Sequence, residues 1–379
     1  MKTIRMLAFF LSLTLVLFLM PSSYAAFETD MPSAILVEAE SGKILYEKNA
    51  DEMRHPASVT KVMTLLLVWE AIDSGKISLT DTVTVSERAS GMGGSQVFLE
   101  VGEKMSVEDL LKSVIIASAN DAATALGEYV AGSERAFVDM MNRKAVQLGM
   151  KHTHFDNTNG LDDTTETHLT TARDIALMSR ALLTEHPKVI EYTTLWQDSI
   201  RDGAFVLTNT NKLIRFYDGA NGLKTGYTQK SGYCISATAL RDGLQLIAVV
   251  MGADSSNARN VAVKEMLDYG FAQYTYCRVE PQEGIEFVLK NGKKVISSAK
   301  AEGFGTVISK NDNAPIETEY ILYENLTAPI EKGKPVGEVI YRINGSEVYR
   351  ESLKASETVE KMTFWNMFIL ALKSYFMME

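Results

Sequence analysis

The run Val62 to Trp69 is apolar on every side of a helical projection, and it follows directly on Ser58-Val59-Thr60-Lys61. A helix without a polar face has to be covered all round. The helix predicted to open at Ser58 therefore crosses the middle of a domain, and the rest of the chain must supply the layers around it. Residues 33–38 and 43–47 are two apolar-rich runs joined by Glu40-Ser41-Gly42, the pattern of a β-hairpin. Helical periodicity covers residues 106–118, 121–130, 133–148 and 170–184; Ser106 with Asp109 carries the Ser-x-x-acid capping pattern, which Ser133 with Ala136 lacks. Strands return at 222–227, 232–240 and 244–252, the last two joined by Arg241-Asp242-Gly243, and a helix over 257–274 closes the domain. Strands at both ends of a helical middle predict an α+β domain whose antiparallel sheet is assembled from sequence-distant pieces.

Residues 278–355 change character. Short apolar runs such as Ile285 to Leu289 and Val339 to Tyr341 alternate with Asn291-Gly292, Lys332-Gly333 and Asn344-Gly345, which predicts a small all-β domain of hairpins. From Lys361 to Glu379 large apolar residues dominate, and Thr363, Asn366, Lys373 and Ser374 form a narrow polar stripe interrupted by Leu370. An amphipathic helix lying in a membrane interface fits this pattern better than a spanning helix, whose run Asn366 and Lys373 would break. Packing against another domain or a second subunit is the alternative. At the other end, Lys2 and Arg5 precede the apolar run Met6 to Met20 and the small-residue site Ser23-Tyr24-Ala25, so residues 1–25 read as a secretory signal and the protein as exported.

Three motifs carry chemistry: Ser58-x-x-Lys61, Ser118-Ala119-Asn120 and Lys224-Thr225-Gly226. Each alone is a weak pattern, but in this order and spacing they describe an acyl-enzyme serine hydrolase. One helical turn separates Lys61 from Ser58, which places an amine beside a hydroxyl that is a poor nucleophile without a base. In a desolvated or cation-rich site a lysine loses its proton far below its usual pKa of about 10.4. By itself Ser58 also fits a plain N-cap with a solvated Lys61; the other two motifs decide against that. Ser118 can relay a proton from a turn, and Asn120 can position Lys61 and a substrate amide. On a strand edge, Gly226 permits close backbone approach, with Lys224 and Thr225 offering a cation and a hydroxyl to a carboxylate. Arg259, at the start of the closing helix, fits either a solvated cap residue or a second carboxylate clamp.

The formal net charge of -10 argues against nucleic-acid binding. Of the two cysteines, Cys234 lies in the apolar stretch Tyr233-Cys234-Ile235 and behaves as a small hydrophobe, so free thiols are favoured over a Cys234–Cys277 bridge. His152 and His154 stand close together without a cysteine or carboxylate array at zinc spacing and read as loop residues. No metal or organic cofactor is implied.

With the motifs in place, the chain resembles the low-molecular-mass penicillin-binding proteins that act as serine-type D-Ala-D-Ala carboxypeptidases, over nearly its whole length. Gly93-Gly94-Ser95-Gln96 is similar to that family's glycine-containing loop, and Leu169 to Asp174 to its helix start after the active-site loop. The resemblance implies a β-lactamase/transpeptidase-like catalytic domain over residues 26–276, an all-β domain over 277–356 and a membrane-anchoring helix over 357–379, with the protein held at the outer face of the cytoplasmic membrane. It implies that Ser58 is acylated by a peptidoglycan stem peptide, that Lys61 is the base and Ser118 the proton relay, and that Lys224, Thr225 and Arg259 hold the terminal carboxylate. The backbone N–H groups of Ser58 and Tyr227 would form the oxyanion hole, and β-lactams would inhibit by acylating Ser58. Two positions depart from the family pattern: Ala119, where many carboxypeptidases have Gly and class A β-lactamases have Asp, and Tyr227, where a histidine often follows Lys-Thr-Gly. A class A β-lactamase is the nearest rival, since Glu166 to Thr170 narrowly misses Glu-x-x-Leu-Asn. A peptidoglycan-binding protein without turnover is another, and endopeptidase action on cross-linked stems a third.

Overall fold

In the computed structural model of the chain, which describes residues 27–163, 165–311, 315–366, 368, 369 and 372, the N-terminal hairpin is formed by β1 (Ser33–Glu38) and β2 (Ile44–Lys48). The expected signal segment 1–25 lies outside the described residues. The chain divides into two units, Met1–Asp30 and Met31–Glu379. Residues 27–30 of the first hold no helix or strand, and the elements of the fold belong to the second.

Strand β1 pairs not only with β2 but with a strand more than two hundred residues away. The sheet also contains β3 (Ala220–Thr228), β4 (Gly232–Arg241) and β5 (Leu244–Ala253), and its order is β2-β1-β5-β4-β3, antiparallel throughout. Both faces of β5 are covered, so it is buried along nearly its whole length. Ile35, Val37, Ile247, Val249 and Met251 join the large core on one side. Leu36 and Leu246, one position out of step, instead pack against Gly270 of the closing helix on the other. The two-residue period of a strand thus sends alternate side chains into two helical layers.

The helix through the centre is α1 (Lys61–Asp73), in which every residue from Lys61 to Trp69 is buried. Packed around it are α3 (Asn120–Ala131), α4 (Glu134–Gln147) and α5 (Ala172–Glu185), with α2 (Val107–Ile116) against α3, while α6 (Ser256–Gln273) covers the far face of the sheet. The caps are side-chain oxygens accepting backbone N–H groups: Ser106 from Asp109, Thr171 from Asp174, and Ser255 from Ala258. Ser133 caps α4 in the same way, through the N–H of Ala136, although the acid of a capping box is missing. The first half of the box suffices, because only the hydroxyl has to reach the exposed N–H.

The α-helix opens at Lys61 rather than at Ser58. Ala57–Thr60 form a short 3-10 turn entered through Ala57 at φ +47°, so Ser58 stands on the turn before the helix. Two small two-stranded sheets were not anticipated, Thr82–Thr84 with Lys104–Ser106 and Gln197–Ile200 with Phe205–Thr208; three or four residues are too few to show a period.

Beyond α6 the chain is all β. A ribbon of β6 (Tyr274–Val279) and β9 (Phe304–Ser309) stands beside a five-stranded sheet. That sheet comprises β7 (Gln282–Val288), β8 (Ile296–Ala301), β10 (Glu317–Leu322), β11 (Pro335–Ile343) and β12 (Ser346–Ala355). Its order is β7-β8-β12-β11-β10, and Asn344-Gly345 turns the hairpin between β11 and β12 as expected. Phe287, Leu289, Val339, Tyr341 and Leu353 fill a core of its own. Lys43 Nζ donates to the Val307 carbonyl at 3.1 Å and Tyr276 Oη to Glu40, joining the ribbon to the N-terminal hairpin.

Of the terminal stretch, residues 364–366, 368, 369 and 372 are helical, and Phe364, Trp365, Phe368, Ile369 and Leu372 are exposed. Lys373 and Ser374 of the polar stripe, and Leu370 that interrupts it, lie outside the described residues. Among the described residues no helix is long and apolar enough to cross a membrane.

Candidate active site

The 3-10 turn and the start of α1 present Ser58 and Lys61 on one face, and two distant segments close on the amine. Lys61 Nζ lies 2.9 Å from Ser58 Oγ, 2.6 Å from Asn120 Oδ1 and 2.9 Å from the carbonyl oxygen of Asn159. Lys61 is fully buried. Burial, and after it the Lys224 cation, push its pKa well below the ordinary lysine value, with Asp121 acting in the opposite direction.

Asn120 is fixed on both sides. Its Nδ2 donates to the Gly93 carbonyl at 2.7 Å, and its backbone N–H donates to Ser95 at 2.7 Å, so Oδ1 is the atom left for Lys61. The Gly93 to Gln96 segment therefore does belong to the site. Gly94, at φ +74°, leaves no room for a Cβ beside Asn120. The Asn120 side chain thus holds Lys61 through Oδ1 and the Gly93 carbonyl through Nδ2. Ser118 sits at the α2–α3 junction, nearly buried, at φ +63°. Asp121 is buried and accepts from the N–H groups of Val97 and Leu99, anchoring the loop that carries Gly93.

Strand β3 forms the opposite wall. A Cβ on Gly226 would lie 2.9 Å from the Pro56 carbonyl oxygen and 3.0 Å from Ser58 N. Within the protein, the close approach this glycine permits is to the nucleophile turn itself. Lys224 is buried; burial and then the Arg259 cation lower its pKa to about 7. Its Nζ donates to the Thr225 carbonyl at 3.0 Å, and Thr225 Oγ1 donates to Thr210 Oγ1 at 2.9 Å. Arg259 is not a solvated cap residue: it is 5% exposed and donates to the Cys234 carbonyl and to Asn260 Oδ1. Tyr227 is exposed and stacks on Tyr233 with ring centroids 4.2 Å apart.

Two contributors escaped the sequence reading. Asn159 acts through its backbone carbonyl, which any residue possesses, so its identity carries no signal. The segment is held against α1 by Thr64, whose hydroxyl donates to the Thr158 carbonyl at 2.6 Å, and Asn157 Oδ1 accepts from Gly160 N at 2.7 Å. The Asn157-Thr158-Asn159-Gly160 composition did mark a turn. Buried His168 is the other: its Nδ1 accepts from Asp156 N at 3.0 Å, which leaves Nε2 to donate to Thr60 Oγ1 at 2.8 Å. A cleft of about 470 Å³, lined in part by Met92, Gly93, Asn159 and Leu161, shares Asn159 with the lysine cage.

Glu166, the residue a β-lactamase reading would need, is exposed and paired with Lys230 at 2.6 Å. The polar atoms around Lys61 Nζ are a hydroxyl, an amide oxygen and a backbone carbonyl. Both cysteines are free, Cys234 buried and Cys277 half-buried.

Comparison with known proteins gives a consistent result over both parts of the chain. Residues 21–255 match the D-alanyl-D-alanine carboxypeptidase family (peptidase S11), and residues 284–361 match the C-terminal domain of penicillin-binding protein 5. D-alanyl-D-alanine carboxypeptidase DacF of Bacillus subtilis is 41% identical over 339 residues, covering 88% of this chain and 86% of that protein. DacC of Escherichia coli is 36% identical, covering 91% and 90%. Among solved structures, penicillin-binding protein 5 from Haemophilus influenzae superimposes with a TM-score of 0.80 at 31% identity, over 89% of this chain and all of that one. Penicillin-binding protein D2 from Listeria monocytogenes, in its ampicillin-bound form, matches 66% of this chain and 100% of its own with a TM-score of 0.59 at 33% identity.

Proposed function

The chain belongs to the peptidase S11 family of D-alanyl-D-alanine carboxypeptidases, and from that premise we propose that it removes the terminal D-Ala of peptidoglycan stem pentapeptides through an acyl-enzyme on Ser58. The observation that carries the mechanism is the set of partners around Lys61. A neutral amine has two N–H bonds and one lone pair. Asn120 Oδ1 and the Asn159 carbonyl can only accept, so they take the two N–H bonds. The lone pair then faces the Ser58 hydroxyl at 2.9 Å.

Ser58 Oγ attacks the carbonyl of the penultimate D-Ala as its proton passes to Lys61 Nζ. The oxyanion is received by the backbone N–H groups of Ser58 and Tyr227. As the C–N bond breaks, Ser118 relays a proton to the departing D-Ala amine, and water then attacks the ester to release the tetrapeptide and restore Ser58. Lys224, Thr225 and Arg259 bind the terminal carboxylate, whose negative charge offsets the two buried cations at 224 and 259. Penicillin acylates the same oxygen, and its tethered leaving group obstructs the deacylating water.

Mass spectrometry of the chain after incubation with a D-Ala-D-Ala-terminated peptide, and separately with penicillin, tests this reading beside Ser58→Ala. Loss of one D-Ala and a lasting adduct, both absent from the variant, are expected. Rapid penicillin hydrolysis without peptide cleavage would move the chain to the β-lactamases. The basic and apolar N-terminal 25 residues and the exposed aromatic side chains at 364, 365 and 368 support export and attachment to the outer face of the membrane. Co-flotation with anionic lipid vesicles, lost on truncation before residue 361, is the expected result; flotation of the truncated chain would overturn it.

A further inference from the structure

Far from Ser58, at the other end of the central helix, four side chains meet that the carboxypeptidase reaction does not use. Glu70 and Asp73 lie in the last turn of α1, and Glu185 ends α5 with His186 as its cap. Both helices direct their electronegative C-terminal ends to this place, a setting that favours a cation. A ring nitrogen of His186 and one carboxylate oxygen each of Glu70 and Glu185 lie within 4.8 Å of one another, and no other such group of three occurs among the described residues.

His186 supplies a second, independent observation. It is 7% exposed, and Nδ1 lies 2.5 Å from Asp73 Oδ2. Its Nε2 is buried and has no hydrogen-bond partner among the described residues. With Asp73 accepting the Nδ1–H, the Nε2 lone pair is the free one. A carboxylate behind an imidazole in this way fixes the tautomer and ring orientation of a metal-ligating histidine.

We infer that Glu70, Glu185 and His186 bind a zinc-class divalent metal ion, with Asp73 orienting the imidazole. One imidazole and two carboxylates suit zinc and its neighbours, whereas calcium and magnesium favour all-oxygen sites. Bond lengths of about 2.0–2.2 Å in a tetrahedral site put ligand atoms about 3.4 Å apart. Glu185 is exposed, and rotation of its side chain closes the difference. Lys144 pairs with Glu70 Oε1, which leaves the second oxygen of that carboxylate for the ion. The ion clips the end of the helix that begins at Lys61 to the end of the helix lying on the sheet. The sequence hid the site, since Glu70 and the Glu185-His186 pair stand on helices that only the fold brings together.

The test is a titration of the chelator-stripped full-length chain with Zn²⁺ by calorimetry and with Co²⁺ by visible absorption, each paired with a melting curve. One equivalent should bind and raise Tm. His186→Ala and Glu185→Gln should each weaken binding at least tenfold and remove the rise in Tm, while His154→Ala, at an exposed histidine elsewhere, should change neither. The glutamine variant alters only an exposed side chain, so its result stands even if His186→Ala fails to fold. Absence of stoichiometric binding, or binding unaltered in Glu185→Gln, would overturn the assignment.

Discussion

Every group in hydrogen-bond contact with Lys61 Nζ is neutral, while the Lys224 cation and the Asp121 carboxylate act from farther off in opposite directions, and that makes its basicity open to a single substitution. Asn120→Asp would place a carboxylate 2.6 Å from Nζ and favour the charged amine. Acylation by a fluorescent penicillin at neutral pH should fall by about 10² to 10³, within the range for loss of a general base, and recover in part as pH rises. A loss that stays constant with pH would mean that Asn120 acts only through its bond to Gly93. The second buried lysine gives the opposite limb. Lys224 has its pKa lowered to about 7 by burial and by Arg259, so in the free enzyme it loses its charge as pH rises through that value. Since kcat/KM reports the free enzyme, its profile should rise with deprotonation of Lys61 and decline above about pH 7. Lys224→Arg, with a side chain that stays charged, should abolish the decline; an unchanged declining limb would assign it to another group.

Elements meet around the nucleophile turn with almost no clearance. A Cβ on Gly160 would stand 1.8 Å from the Ala57 carbonyl oxygen, at a φ of +89° that a side chain tolerates poorly. Gly160→Ala should displace the Asn159 carbonyl from Lys61, lower Tm by several degrees and slow acylation at least tenfold; wild-type rates in the variant would show that the carbonyl is dispensable. Nothing in the sequence marked Gly160 for this duty, because the constraint comes from Ala57, a hundred residues earlier. Ser58 and Lys61, by contrast, were legible since one helical turn already pairs them, and the continuous apolar run of α1 announced its central place. The three long strands of the sheet and the turn between β4 and β5 could be read for the same reason: their patterns are local. Arg259 was left open between solvent and site, and only the packing of α6 on β4 buries it. The partners of Lys61 beyond Ser58 needed the fold, one being a backbone atom without a residue signature.

For the molecule as a whole, His168 ties stability to pH. Burial lowers its pKa from 6.5 to about 4, so the folded protein keeps it neutral where the unfolded chain would protonate it. Stability from this group is complete above pH 6.5 and declines as pH falls toward 4, by about 3 kcal/mol in all. Urea midpoints between pH 7 and 4 should show the decline, and His168→Gln, destabilised at pH 7, should show a flatter slope; equal slopes would place the acid sensitivity elsewhere. The cage around Lys61 has a further meaning for a chain of this length. Its atoms come from residues 58, 120 and 159, and the wall from 226, so no fragment or half-collapsed intermediate owns a reactive serine. Penicillin labelling is therefore a stopwatch for maturation: sampled during refolding, the fraction of chains that take up the drug counts those whose last long-range contacts have closed.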